Sequence, residues 1–177
     1  MKWFAYGPTV LRLALGAVFA AHGAQKLFGV WGGGGLRETA RYFAAVGIDR
    51  PLFVVFEAVR LDPALAGTFL AGLVGVVEFG GGLLLLPGLL TRWAAAALAI
   101  EMAVAAYQVH LKHGFFLNWT VAPGVGHGVE MNLVLIGGLI CLLFTGAGAL
   151  SIDSWRQESR EEAALGRARL RAKVDHN

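Results

Sequence analysis

Apolar residues run almost without interruption through four long segments of the chain. The segments cover residues 8–28, 65–87, 93–111 and 129–150. The hydrocarbon core of a bilayer is about 30 Å thick, which an α-helix crosses in roughly 20 residues. The pattern therefore predicts an all-α integral membrane fold, a bundle of four transmembrane helices formed by residues 1–153. The remaining residues, 154–177, form a charged tail.

The connections between the segments predict an antiparallel bundle. The turn from Pro87 to Thr91 is short, so the second and third segments form a helical hairpin. The first connection, residues 29–64, is long and starts with a glycine run at 32–35. No Lys-Ser or Lys-Thr follows this run, which excludes a P-loop. We expect a short amphipathic helix in this first extracytoplasmic loop, because four residues share one helical face: Leu36, Ala40, Phe43 and Gly47.

The amino-acid composition agrees with a membrane protein. Hydrophobic residues make up 56% of the chain and charged residues 15%, whereas soluble domains have roughly 45–50% and about 25%. The apolar surplus needs the lipid bilayer as its partner. The single cysteine, Cys141, excludes an intrachain disulfide and a Cys-x-x-Cys redox pair.

The distribution of positive charge predicts the orientation in the membrane. The formal charge is +3, but the basic residues are scattered through loops and the tail, so nucleic acid is not expected as a partner. Cytoplasmic loops are enriched in Lys and Arg. With both termini in the cytoplasm, six basic residues lie outward and nine lie inward: Lys2, Arg12, Arg92, Arg156, Arg160, Arg167, Arg169, Arg171 and Lys173.

Three of the charged residues within the apolar segments predict an inner polar network. Helical rise places Glu78 and Glu101 at similar depths, about 13 Å from the cytoplasmic side. Arg12 lies in the same half, so its side chain could bridge to one or both carboxylates. Charges at this depth are costly and should face the bundle interior. The network could fix helix register, or it could relay protons or contact a bound head group.

A second polar group gathers at the outer end of the bundle. It predicts an outer polar pocket, lined by His22, Gln25, Lys26, His110 and Glu130. Histidines with a carboxylate can bind a metal and facing histidines can bind haem, but the spacing matches no recognised ligand motif. Quinone head groups also use such residues, since their carbonyl oxygens need donors and a redox proton needs an acid. Alternatively, these residues are hydrogen-bonded to backbone and water.

Four sequence stretches resemble the DoxX family of bacterial four-helix membrane proteins. They are the His-Gly-x-Gln-Lys-Leu of 22–27, the Glu-Phe-Gly-Gly with Thr-Arg of 78–92, residues 110–116, and the late Gly-Ala-Gly-x-x-Ser-x-Asp ending at Asp153. The resemblance implies a bacterial inner-membrane protein. It also implies redox partners, because the family name derives from small subunits of a terminal quinol oxidase and a thiosulfate:quinone oxidoreductase.

Two functional hypotheses follow from the sequence. The first is a membrane subunit of a quinone-linked oxidoreductase or respiratory-type complex, with quinone as its cofactor, haem or a metal being weaker alternatives. The second is a non-catalytic structural or assembly subunit that holds other membrane or redox subunits together. A third hypothesis is a small carrier or proton pathway. It would need internal symmetry between the two halves of the chain, and the sequence shows none. No Ser/His/Asp arrangement, zinc signature or dinucleotide fingerprint supports soluble-type hydrolysis or dehydrogenation.

Overall fold

The computed structural model describes residues 3–62 and 65–175, and this part of the chain is helical without any strand. Its α-helices are α1 (Tyr6–Phe28), α2 (Gly35–Val46), α3 (Arg50–Ala58), α4 (Leu65–Leu85), α5 (Thr91–Ala105), α6 (Glu130–Thr145) and α7 (Ile152–Asp175). A π-helical turn, Ala106–His110, and a 3-10 turn, Leu111–His113, extend α5. Lys2, which contributes to the predicted charge asymmetry, lies outside the described residues, as do the side chains of Arg169 and Lys173.

Helices α1, α4, α5 and α6 pack in a ring as an antiparallel bundle. The register of α1 on α4 shows the direction, because Gly16 lies against Gly82, and Gly23 lies further along against Phe79. The predicted hairpin of α4 and α5 is present. Apolar side chains from all four helices fill the centre of the bundle: Leu15, Phe19, Leu85, Leu98, Leu139 and Leu142 are among the most buried.

Three helical segments are long and apolar enough to cross a membrane: Trp3–Phe28, Leu65–Leu85 and Thr91–His113. Their outward side chains include large exposed hydrophobic residues such as Val76 and Ile100, which need lipid rather than water around them. The protein is therefore an integral membrane protein in contact with the bilayer. The fourth bundle helix, α6, has 16 residues and is about 24 Å long. The count of four spans stays a prediction.

The fourth predicted segment is helical over a shorter range than expected. Helix α6 ends at Thr145 rather than at Leu150, because Gly146 and Gly148 adopt φ angles of 78° and 72° that break the helix. The segment that follows folds back onto the start of α1, where the Ala149 amide donates to the Ala5 carbonyl at 2.7 Å. The charged tail then forms α7, whose described side chains from Trp155 onward are exposed.

Arg12 is 2% exposed and serves as a junction between three parts of the chain. Its guanidinium donates to four backbone carbonyls, those of Leu85 (3.0 Å), Leu86, Ala147 (2.9 Å) and Leu150 (2.7 Å). The last carbonyls of a helix have no intrahelical donor, and a buried cation supplies one. The prediction that Arg12 bridges to Glu78 or Glu101 is therefore wrong. Arg12 is therefore not part of the network that contains the two glutamates.

The amphipathic pattern of the first connection does form a helix, α2. Phe43 is its buried side chain, while Arg37 and Arg41 are exposed. Helix α2 packs against α4 and α1, so it covers one end of the bundle. Its position in an extracytoplasmic loop stays a prediction.

Candidate functional site

A cavity of about 630 Å³ lies inside the end of the bundle that is opposite to Arg12. Helices α1, α2, α4, α5 and α6 line it together with the loop between α5 and α6. Most of its wall is apolar, which matches the usual character of sites for small organic ligands. Its polar and charged side chains are Tyr42, His22, Lys26, Glu78, Glu101, Gln108, His110, Asn118, His127 and Asn132.

An ionisable cluster of Lys26, Glu78 and Glu101 joins three helices at this cavity. The Lys26 ammonium group forms an ion pair with a carboxylate oxygen of Glu78, whose side chain is 4% exposed. The Glu101 carboxyl group lies within hydrogen-bond reach of the Glu78 carboxyl group. The predicted equal depth of the two glutamates is thereby confirmed, with Lys26 rather than Arg12 as their cation.

Close contact between α1 and α4 brings Lys26 to Glu78. A Cβ atom on Gly23 would lie 2.2 Å from the Phe79 backbone nitrogen, so only glycine allows the two helix backbones to approach at this point. Lys26 follows Gly23 by three residues on α1, and Glu78 precedes Phe79 on α4. The glycine thus fixes the register that pairs the two charges.

The π-helical turn Ala106–His110 shapes the wall of the cavity on the α5 side. Gln108, Val109 and His110 all belong to this turn and all line the cavity. A π turn holds one more residue than the corresponding α turn, and such turns are frequent at functional sites. Gln108 shares this cavity with Glu101.

Two histidines at the loop end of the cavity have defined hydrogen bonds. The Nδ1 atom of His110 lies 2.9 Å from the carbonyl oxygen of His127, so Nδ1 must carry the proton. The backbone amide of Asn118 donates to Nδ1 of His127 at 3.2 Å, so that ring nitrogen is the acceptor. Each histidine therefore has Nε2 as the ring nitrogen left for other contacts.

The predicted outer pocket is only partly assembled. His22, Lys26 and His110 line the cavity, whereas the other two predicted members do not line it and instead hold loop backbone. Gln25 donates from Nε2 to the Trp31 carbonyl at 3.2 Å, and Glu130 accepts a hydrogen bond from the Leu117 amide at 3.0 Å. The cavity thus combines three outer-pocket residues with Glu78 and Glu101 from the predicted inner network. Whether any of them binds a ligand stays a prediction.

Other cavity residues were not selected from the sequence. Asn132 is buried on α6, and its Nδ2 lies 3.9 Å from the Met102 sulfur. A polar side chain inside an apolar segment was the signal that could have found it. Tyr42 comes from α2, and its partial burial raises the pKa of its hydroxyl above the ordinary value.

Comparison with known proteins identifies the family. The family model described as DoxX matches residues 7–111, which is more than half of the chain. The chain belongs to the DoxX family. The matched range contains α1, α4 and α5 and therefore Lys26, Glu78 and Glu101, the ionisable cluster of this DoxX protein.

Several curated proteins are similar over most of their length. An uncharacterized membrane protein of Mycobacterium tuberculosis is 35% identical, covering 88% of this chain and 83% of that protein. The inner membrane protein YqjF of Escherichia coli is 31% identical, covering 83% and 89%. CatD of Bacillus subtilis, whose name marks it as a proposed oxidoreductase, is 27% identical, covering 86% and 88%. No solved structure matches the chain.

The cavity of this DoxX protein reaches the apolar outer surface of the bundle. Val18, Val104 and Met131 line the cavity, and they are 41%, 52% and 47% exposed. A ligand at the ionisable cluster could therefore extend an apolar part toward the surrounding lipid. Within the described part of the chain, no group of three or more His, Cys, Asp or Glu side chains could hold a metal ion.

Proposed function

We propose that this DoxX protein is the membrane subunit of a quinone-linked oxidoreductase and that its cavity binds the quinone. One observation carries the proposal: the same cavity contains an ionisable cluster built around the buried Glu78 and is bordered by exposed apolar side chains. A quinone needs both environments, because its head group has carbonyl oxygens and its tail is a hydrocarbon.

The residues present fit such a ligand. The Lys26 ammonium group and the amide groups of Gln108 and Asn132 are hydrogen-bond donors at the cavity, suited to the two carbonyl oxygens. The tail would lie between the side chains of Val18 and Met131. A volume of 630 Å³ falls within the range of about 300–1,000 Å³ that is usual for small-ligand sites.

A bound quinone would supply two-electron redox chemistry, and the chain itself would supply positioning and protons. Lys26 would orient a carbonyl oxygen, and the Glu78 and Glu101 carboxyl groups would exchange protons with it. Electrons would come from, or go to, another subunit of the complex. The name of the CatD relative supports a redox role for the family.

The membrane arrangement belongs to the same proposal. The chain would cross a bacterial inner membrane four times, with both termini in the cytoplasm. The name of the YqjF relative supports the membrane, and the excess of basic residues at the Arg12 end of the bundle supports the orientation. The cavity would then lie toward the extracytoplasmic side.

Titration of the purified protein with a short-chain quinone tests the proposal. We expect saturable binding with one quinone per chain, and binding weaker by about tenfold in Lys26→Met, which is roughly 1.4 kcal/mol. Lys112→Met is the matched control, because Lys112 is exposed and does not line the cavity. Absence of saturable binding, with partner chains copurifying in fixed ratio, would instead favour the structural or assembly subunit.

A further inference from the structure

We infer that Glu78 and Glu101 share one proton, and that Glu101 exchanges this proton with the ligand of the cavity. The first part concerns the protein alone. The second part rests on the proposed function, because it takes the ligand to be a quinone.

The charges of the cluster do not balance unless a proton is bound. Lys26 provides one positive charge, whereas Glu78 and Glu101 provide two carboxyl groups. Lys26 is also the single Lys or Arg side chain among the described residues that line the cavity. An unpaired carboxylate in an apolar site is costly, and the group is usually neutralised by a proton. One bound proton makes the cluster neutral.

The contact between the two glutamates requires the same proton. Two carboxylates are both acceptors and cannot form a hydrogen bond with each other, whereas a carboxylic acid can donate to a carboxylate. Glu101 lies within hydrogen-bond reach of Glu78, while its buried Oε2 atom has no hydrogen-bond partner among the described residues. Because the ion pair with Lys26 fixes Glu78 as the carboxylate, Glu101 is the acid.

Other titratable groups face the cavity from every side. They are His22 and Lys26 of α1, Tyr42 of α2, His110 of the α5 extension and His127 of the loop. The Nδ1 atoms of the two loop-end histidines are engaged with backbone groups. The carboxyl pair differs from all of them, since its contact is formed only by a proton held between two acids.

Reduction of the ligand to a quinol takes up two electrons and two protons. Two electrons arrive from a flavin or metal centre of a partner subunit, and Glu101 gives its proton to a quinone oxygen. The O–H bond of the acid breaks, an O–H bond forms on the ligand, and the pair is left as two carboxylates beside Lys26. One proton from water completes the quinol, and another restores the shared proton. Oxidation of the quinol runs in the opposite direction.

Infrared spectroscopy of the quinone-free protein tests the shared proton. We expect a carboxylic-acid C=O band at neutral pH that shifts in D₂O. The band should disappear in Glu101→Gln and in Glu78→Gln, because each variant leaves one carboxyl group, which ionises beside Lys26. Lys26→Met should retain it. Glu158→Gln is the control, since Glu158 is exposed on α7. Absence of the band from the wild-type protein, which needs no variant to fold, would overturn the inference.

A second spectrum tests the exchange and separates it from the proposed function. When bound quinone is reduced rapidly and followed by time-resolved infrared spectroscopy, the acid band should decrease transiently in the wild-type protein, until a proton from water restores it, and show no change in Glu101→Gln. If quinone binds and is reduced while the band stays constant, the exchange is wrong although the proposed function stands. If no quinone binds but the band is present, the proposed function and the exchange fail and the shared proton stands.

Discussion

The ammonium group of Lys26 forms an ion pair with the Glu78 carboxylate across the interface of α1 and α4. The pair lies at the wall of the cavity and contacts Glu101 of α5. It therefore links three of the four bundle helices. Stability and ligand binding should both depend on it.

Removal of Lys26 alone should destabilise the bundle. Lys26→Met leaves Glu78 buried without its cation, and loss of one partner from a buried pair costs roughly 3 kcal/mol. The double variant Lys26→Met/Glu78→Gln removes both charges and should recover part of this loss. Unfolding midpoints in detergent measure the difference. Equal stability of the single variant and the wild-type protein would show that the pair contributes nothing.

Replacement of Arg12 should destabilise the protein even when the new residue is lysine. Its planar guanidinium donates in several directions to four carbonyls, whereas a lysine ammonium group has a different shape and reach. Arg12→Lys should therefore cost about 2 kcal/mol or more, because buried carbonyls lose their donors. Thermal unfolding checks this value. The control is Arg92→Lys, in which an exposed side chain with one bond to the Phe144 carbonyl is changed; its effect should stay within about 0.5 kcal/mol.

Two glycines on α4 should respond oppositely to an added methyl group. A Cβ atom on Gly82 would lie 2.3 Å from the Ala20 backbone nitrogen, so Gly82→Ala must separate α1 from α4 and should cost about 1–3 kcal/mol. Gly80 has no atom within 4 Å of such a Cβ. Gly80→Ala should thus be neutral or gain up to about 1 kcal/mol from helix propensity. Equal losses of stability in Gly82→Ala and Gly80→Ala would rule out the close contact between α1 and α4 as the cause of the Gly82→Ala effect.

Asp153 caps helix α5 from a distant part of the chain. Its two carboxylate oxygens accept hydrogen bonds from the Leu90 amide at 3.0 Å and the Thr91 amide at 2.9 Å. Asp153→Ala should cost about 1 kcal/mol, as loss of a helix cap usually does. Hydrogen exchange should become faster at the first turn of α5. The exposed Glu158→Ala variant on α7 should leave that turn unchanged.

The sequence was sufficient to predict the helices and the depth of the buried acids. Periodic apolar segments of bilayer length required a helical membrane protein, and the short turn after Pro87 required a hairpin. Counting residues from that turn placed Glu78 and Glu101 at equal depth, and their carboxyl groups do meet. These features depend on local spacing along the chain, which a sequence contains directly.

The partners of the basic residues depend on packing between distant segments. Lys26 reaches Glu78 because Gly23 lets α1 approach the backbone of α4, and helical spacing does not specify that register. Arg12 binds carbonyls at the end of α4 and in the segment between α6 and α7, and carbonyl positions are invisible as a residue pattern. The end of α6 was missed for a related reason, since an apolar glycine-containing turn has the same hydropathy as a helix.

Photolabelling with a quinone that carries a diazirine group tests most directly whether the cavity is the quinone site. Mass spectrometry of the digested protein would locate the label. The prediction is labelled peptides from residues 18–26 of α1 or 101–110 of α5 and its extension, with labelling abolished by excess unmodified quinone. Label confined to lipid-facing positions outside the cavity, such as Phe144, and undiminished by that competitor would contradict it.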